Sequence, residues 1–339
     1  MMRNYVCLSN SVFEENSFAL VPIRDEDKYE ILEMRNEQMY HLRQAKPLTA
    51  EDQEYYFKNV ISKLFELQKP DQLLFSLLKD NKFVGYGGLV HINWIDRNAE
   101  ISFIMKTELE QDNFEFFWIN YLSVLNTIAF KELNFHKIYT YAFDLRPHLY
   151  PVLEKAGFAE DARLNEHCFF DGKFLDVVLH SKYNRELSYR KATEKDLTLY
   201  FEWANDSSVR ENSYRSDVIT IENHTNWFLN KIADASCLML VFEDHVGTAV
   251  GQVRIETKNE ATAIIGISND ANHRGKAYAS QMIQKACEVY LVNSPSTTIS
   301  AYIKINNSAS EKAFQKAGFL LDGEVEYEGY PSYHYIKKL

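Results

Sequence analysis

The sequence has four cysteines in 339 residues, Cys7, Cys168, Cys237 and Cys287, and no two of them stand in a CxxC pair. That scatter gives neither a metal site nor a disulfide framework, and it fits free thiols in a reducing cytosol. An excess of positive charge is also lacking. Lys and Arg number 37 against 48 Asp and Glu, for a formal net charge of −11, which excludes a general binder of nucleic acid or anionic membranes. No apolar run approaches the length of a membrane span, and the N-terminus has no basic segment followed by an apolar core. These absences predict a cytoplasmic protein whose partners are small molecules, not nucleic acid or membrane. The hydrophobic share of 46% and charged share of 25% are those of an ordinary globular chain, and the length suits two domains better than one.

What the sequence does have begins with Asn272-His273-Arg274-Gly275-Lys276-Ala277-Tyr278-Ala279. This run follows an apolar stretch, Ile264 to Ile267, and opens onto a helical pattern from Ser280 to Leu291. A strand, a tight basic turn and a helix bring backbone N–H groups and a helix N-terminus to bear on one anion. Arg274 and Lys276 add charge beside those amides, and Ala279 lets the first helical turn come close. Downstream, Ile299 to Lys304 alternates like a strand. Asn307 then stands as an N-cap, followed by Ser310 and a short helix that ends at Lys316-Ala317-Gly318-Phe319, with Gly318 as its C-cap.

The first run resembles the pyrophosphate loop of the GNAT superfamily of N-acetyltransferases, Arg/Gln-x-x-Gly-x-Gly/Ala, with Ala277 where the middle Gly is usual. The second resembles that superfamily's Asn-x-x-Ser and Lys-x-Gly-Phe. The resemblance implies acetyl-CoA as acetyl donor and no metal. It places the cofactor on Arg274, Gly275, Lys276, Ala277, Tyr278 and Ala279, with the pantetheine arm at Asn307 and Ser310. The thioester carbonyl would be held by the backbone N–H groups of Ile267, Ser268 and Asn269.

The remainder of the chain repeats itself. Met34-Arg35-Asn36 answers to Trp203-Ala204-Asn205, Val84-Gly85 to Val250-Gly251, and Lys155 to Phe158 answers to Lys316 to Phe319. In the first half a strand at Phe18 to Ile23 precedes a helix opened by Asp25 to Asp27, and Thr49 to Asp52 forms a capping box for a second helix. Strands follow at 73–78, 83–89 and 99–105, then a helix from about Phe114 to Leu133, a strand at 137–143 and a helix ending at Gly157. Two strands close the half around Asp171-Gly172. This is the GNAT order. The expected fold is α/β (α+β): two tandem GNAT folds, each a mixed, mostly antiparallel sheet flanked by helices, over residues 1–186 and 187–339. The chain is expected to be a monomer whose domains pair, or a homodimer.

The two halves differ where the chemistry lies. In place of the basic loop the first half has Lys106 to Phe114, with no glycine and three acidic residues, and Arg146 and Leu149 replace the Asn and Ser. Such a turn repels a pyrophosphate, so the first domain is expected to lack the acetyl-CoA site. Glu100 sits where many GNAT enzymes carry a strand carboxylate that acts as base. The matching position in the second half falls near Ile264 or Ile265, and Phe314 stands where many relatives keep a tyrosine acid. His224, Glu202 and Tyr302 are the candidates for proton transfer, with His224 favoured by the ordinary pKa of imidazole.

Acceptor recognition is assigned to the region before and within the second helix. Trp203-Ala204-Asn205-Asp206, Val209-Arg210, Asn212-Ser213 and His224-x-x-Trp227 resemble acetyltransferases that modify an amino group on a nucleotide-linked deoxysugar of the pseudaminic acid type. Trp203 and Trp227 offer stacking faces, Arg210 a phosphate partner, and Asn205 and Asn212 hydrogen bonds to hydroxyls. The expected reaction is acetyl transfer to a primary amine on such a sugar. Both halves also resemble ribosomal-protein acetyltransferases, whose acceptor is a protein N-terminus, and a non-catalytic acyl-CoA-binding protein is the third alternative.

Overall fold

The computed structural model describes residues 3–338, which divide into two compact units between Asn184 and Arg185. The first unit has strands β1 (Phe13–Glu15), β2 (Phe18–Pro22), β3 (Leu73–Lys79), β4 (Lys82–Asn93), β5 (Asn98–Met105), β6 (Lys137–Phe143), β7 (Ala159–Phe170) and β8 (Lys173–Tyr183). Its helices are α1 (Lys28–Glu37), α2 (Ala50–Tyr56), α3 (Ser62–Leu64), α4 (Thr107–Asn126) and α5 (Leu149–Lys155). The second unit has strands β9 (Ser188–Lys191), β10 (Cys237–Glu243), β11 (Ala249–Asn259), β12 (Thr262–Asn269), β13 (Thr298–Lys304), β14 (Leu320–Tyr327) and β15 (Tyr330–Lys337). Its helices are α6 (Leu197–Asn205), α7 (Ser207–Asn212), α8 (Ile221–Ala233), α9 (Tyr278–Asn293) and α10 (Ser308–Lys316).

The sheets run β1-β2-β3-β4-β5-β6-β8-β7 and β9-β10-β11-β12-β13-β15-β14, so one strand order occurs twice, with β1 added to the first copy. All pairings are antiparallel except one in each sheet. β5 and β6 pair in parallel at Asn98↔Lys137, Ala99↔Ile138 and Glu100↔Tyr139, and β12 and β13 at Thr262↔Thr298, Ala263↔Ile299 and Ile264↔Ser300. Beyond these three rungs the parallel strands part. The resulting splay is the feature that positions the site.

Local chemistry explains most of the elements. Thr49 accepts from Asp52 N while Asp52 accepts from Thr49 N, a reciprocal capping box that starts α2. Asp80 and Asn81 both have positive φ, 50° and 63°, and turn β3 into β4, as a two-residue hairpin requires. Asn307 Oδ1 accepts from Ser310 N at 3.1 Å and starts α10, and Gly318, at φ 83°, ends it.

One expected boundary is corrected. Helix α4 starts at Thr107, not near Phe114, with a local break at Asn113. The acidic segment is helical because it lacks glycine, and its Glu108 and Glu110 oppose the positive end of the helix dipole.

Inside the second unit the core falls on one face of the sheet, where Val253, Ile255, Ile265, Ile299, Ala301 and Ile303 meet Met282, Ile283, Ala286 and Leu291 of α9. Alternation along the strands sends Ile264, Ser300 and Tyr302 to the opposite face.

Candidate functional site

The splay of the second unit opens as a cleft of about 740 Å³. One wall is β12 from Ile264 to Asn269, the other β13 from Tyr302 to Lys304, and the loop before α9 and the first turn of α10 close one end. Since β12 meets β13 only as far as Ile264, the β13-facing peptide groups from Ile265 to Asn269 have no ladder partner. Of the three expected amides, those of Ile267 and Asn269 turn to this bare edge, whereas Ser268 N–H faces the paired strand β11.

The loop is shaped by backbone conformation. Gly275 has φ 75° and Ala277, the residue before α9, has φ 59° and ψ 19°, the left-handed region. This gives the physical reason for a glycine at the middle position of such loops, since an alanine there costs about 1–2 kcal/mol. Ala277→Gly is expected to raise the urea midpoint, by an amount equivalent to at most about 1 kcal/mol because the unfolded glycine is also freer. No side chain caps the start of α9, so its first-turn N–H groups lack a side-chain partner and are available to an anion.

The loop is pinned from below. Asp270 accepts from Asn272 N at 2.9 Å, Trp203 Nε1 at 3.2 Å and shares a 2.8 Å contact with His273 Nδ1. Burial raises the Asp270 pKa, but the His273, Trp203 and Asn272 contacts outweigh it and hold the carboxyl below its ordinary value. Arg274 pairs with Asp206, whose other bond starts α7 through Val209 N.

Arg274, Gly275, Ala277, Tyr278, Ala279, Asn307 and Ser310 all line the cleft with Ile267, Ser268 and Asn269, and Lys276 lies within the same loop. Asn269 Oδ1 is buried without a hydrogen-bond partner. An unfilled acceptor beside unpaired strand amides and an uncapped helix start suits a ligand with both an anion and amide N–H groups, such as coenzyme A.

Other expected site residues lie elsewhere. His224 is 1% exposed and packs against Phe201, Trp227 and Phe228. It does not line the cleft, and burial pushes its pKa down. Glu202 is exposed on α6, away from the cleft. Trp203 is buried at 4% exposure and serves as the Asp270 donor. Asn205 exchanges hydrogen bonds with the Ile219 backbone at 3.0 and 2.8 Å, and Arg210 donates to Arg215 O, Asp217 O and Ser213 Oγ. Both hold the loop after α7. Trp227 packs beneath the Arg254 guanidinium, 5.2 Å from its ring centre, outside the cleft lining. Asn212 and Tyr302 do reach the cleft.

In the aromatic surface of the cleft Tyr302 is joined by Tyr214 and Tyr327, which the sequence does not single out. Tyr302 stacks on Tyr327 at 3.9 Å, and Tyr214 meets Tyr327 at 4.9 Å. Lys304 Nζ donates to Glu211 O and Ser213 O and lies 4.2 Å from the Tyr330 ring centre. Arg254, Arg274, Lys304, Lys312 and Lys316 line the cleft, and its lining contains no Asp or Glu.

The corresponding splay of the first unit is built differently. Helix α4 follows β5 at once, and Glu110 of its first turn pairs with Arg146 at 2.6 Å, both largely buried. Tyr40 donates to the same carboxylate, and Phe114 meets His148 at 4.6 Å. These side chains fill the end where the second unit has its glycine loop. Glu100, 7% exposed, is held by Arg43 and by His91 Nδ1 at 2.8 Å.

A model of the GNAT acetyltransferase domain matches residues 20–179, and a second model of that domain matches residues 186–320. Among curated proteins, spermidine N(1)-acetyltransferase of Vibrio cholerae is 35% identical over 104 residues, which are 30% of this chain and 58% of the relative. The matched stretch thus spans little more than half of that relative's length. Among solved structures, the Vibrio cholerae spermidine N-acetyltransferase in complex with CoA and spermine is 22% identical with a TM-score of 0.43, over 50% of this chain and 96% of that one. An aminoglycoside acetyltransferase in complex with coenzyme A is 20% identical with a TM-score of 0.40, over 45% of this chain and 95% of that one. With a domain match in each unit, the chain belongs to the GNAT acetyltransferase family and carries two such domains in tandem.

Proposed function

We propose that the second unit transfers acetyl from acetyl-CoA to a primary amine on a nucleotide-linked amino sugar, and that the first unit has lost the donor site. Acetyl-CoA supplies the acetyl group as a thioester. Arg274, Lys276 and the amides of Gly275 to Ala279 would hold its pyrophosphate, and Asn307 and Ser310 would flank its arm. The edge amides of Ile267 and Asn269 would polarise the carbonyl.

The observation that carries the acceptor class is the charge of the cleft. Spermidine, the substrate in the curated relative's name, is a polycation and needs carboxylates. The lining here offers Arg254 and Lys304 beside the Tyr214, Tyr302 and Tyr327 rings, with no Asp or Glu. Rings that stack on a sugar or base, and cations that meet phosphate, suit a nucleotide sugar.

The test is a panel of three acceptors with acetyl-CoA: a UDP-linked amino-deoxysugar, spermidine and a peptide with a free N-terminus. The sugar is expected to be acetylated and spermidine not. Faster turnover of spermidine, or of the peptide, would overturn the acceptor class. Tight acetyl-CoA binding with no turnover of any amine would favour a binding protein.

A further inference from the structure

The second unit has no carboxylate at the strand position that Glu100 holds in the first. The paired registers fix the correspondence: Glu100 is the last rung before the first splay and Ile264 the last before the second. Across the rung from Ile264 stands Ser300, and two residues on, Tyr302 pairs with His334 of β15. His334 Nε2 lies 3.0 Å from Ser300 Oγ, and its Nδ1 lies 3.0 Å from Asp322 Oδ2.

The carboxylate is aimed by a bulge. The β14–β15 register shifts between Leu321 and Gly323, which leaves Asp322 as the extra residue. The first unit has the same irregularity at Asp161, between Glu160 and Ala162. There, however, the residue opposite Tyr141 is Leu179, and Asp161 bonds to Lys137, Ser181 and Tyr183. The first unit thus has the strand carboxylate without the histidine. The second has the histidine without the carboxylate.

We propose that Ser300, His334 and Asp322 form a relay that removes the proton from the acceptor ammonium at the head of the splay. This rests on the acetyltransferase reading above. His334 acts through Ser300, so it is a positioning and relay residue and not one that touches the substrate. With Nδ1–H donated to Asp322, Nε2 accepts from the Ser300 hydroxyl, and the imidazole is ready to take a proton there. Ser300 is 6% exposed beside Ile264 and Tyr302, which line the cleft. The Asp322 side chain is 52% exposed and His334 17%, so the far end of the chain delivers the proton to water.

The step balances. The ammonium gives one proton through Ser300 to His334. The free amine then forms its N–C bond as the C–S bond breaks, and its second proton leaves with the sulfur as thiol.

The other groups along this face do not replace the relay. Glu256 pairs with Ile264 from the β11 side. Burial raises its pKa, but Arg254, Lys231 and Lys258 outweigh it and keep the carboxyl below its ordinary value. Arg254 lies 2.9 Å from Oε1, and Lys231 and Lys258 lie 3.0 and 3.1 Å from Oε2. A carboxylate so occupied is a poor base. Tyr302 stacks flat on His334 at 4.7 Å and on Tyr327 at 3.9 Å. Those rings orient the imidazole and offer it no further hydrogen bond.

The experiment uses the full chain, acetyl-CoA and the same three amines, with His334→Gln and Ser300→Ala compared with wild type across pH. Acetyl-CoA affinity is measured by calorimetry on every variant. Affinity is expected to be unchanged, while kcat/KM at pH 7 falls about 100-fold, within the usual range for general base catalysis. The deficit should narrow toward unity above the pKa of the acceptor ammonium, where free amine forms unaided. A deficit of equal size at every pH, or none, would overturn the relay alone. If His334→Gln fails to bind acetyl-CoA, Ser300→Ala, which keeps the packing, decides by the same criteria. A wild type that binds acetyl-CoA and acetylates none of the amines would overturn the relay together with the acetyltransferase reading.

Discussion

Gly275→Glu is expected to abolish acetyl-CoA binding to the intact chain, where wild type should titrate with one site. The substitution puts a carboxylate among amides and cations proposed to face a pyrophosphate. Two unit charges about 4 Å apart near a protein surface interact by about 4 kcal/mol, which is roughly a thousandfold in affinity. Backbone strain contributes as well, because Gly275 has φ 75°. The control is Gly275→Ala. A Cβ at this position meets nothing within 4 Å, so alanine brings the strain without the charge and should weaken binding by about tenfold. Calorimetry of the three proteins separates the two effects. A site that survives Gly275→Glu would have to lie in the first unit, where Glu110 and Arg146 now fill the equivalent end.

Trp203→Ala should be the most destabilising single change in the second unit. The side chain is 4% exposed and packs with Tyr200, Phe228, Met239 and Val241. Removal of a buried tryptophan costs about 3–5 kcal/mol, a large fraction of a domain's stability. Trp203→Phe keeps most of the ring and loses the Nε1 donor to Asp270. A hydrogen bond to a charged group is worth about 1.5–3 kcal/mol, so the loss should be about half as large. The phenylalanine variant should also bind acetyl-CoA more weakly, because Asp270 anchors Asn272 and His273 at the start of the loop. Denaturant unfolding gives the first quantity and calorimetry the second. Full affinity in Trp203→Phe would mean that the loop does not depend on this anchor.

These predictions also mark what the sequence made legible. Capping by Thr49 and Asn307, the turn at Asp80-Asn81 and the stop at Gly318 were readable because each is decided within a few residues. The duplication was readable from its repeated local motifs. The start of α4 was misplaced because an acidic run without glycine fits a helix start as well as a turn. Trp203, Asn205 and Arg210 have the composition of a binding site, yet they bond to Asp270, Ile219 and the carbonyls of Arg215 and Asp217. No pattern along the chain tells which bonds a side chain makes at home. His224 fell on the inner face of α8 for the same reason. His334, Tyr327 and Tyr330 went unnoticed because the β14–β15 hairpin brings them to β13 from the far edge of the sheet. The bulge at Asp322 is not visible in the sequence at all.

The parting of β12 from β13 has one more consequence, for the thermodynamics of whatever enters. At roughly 30 Å³ per molecule, a cleft of about 740 Å³ holds on the order of 25 waters, some of them hydrogen-bonded to the bare strand edges. Ligand amides that meet those edges replace bonds already made to solvent, so the exchange contributes little net affinity. The gain must come from the charged loop at one end, from the tyrosine faces at the other, and from release of the displaced water to bulk.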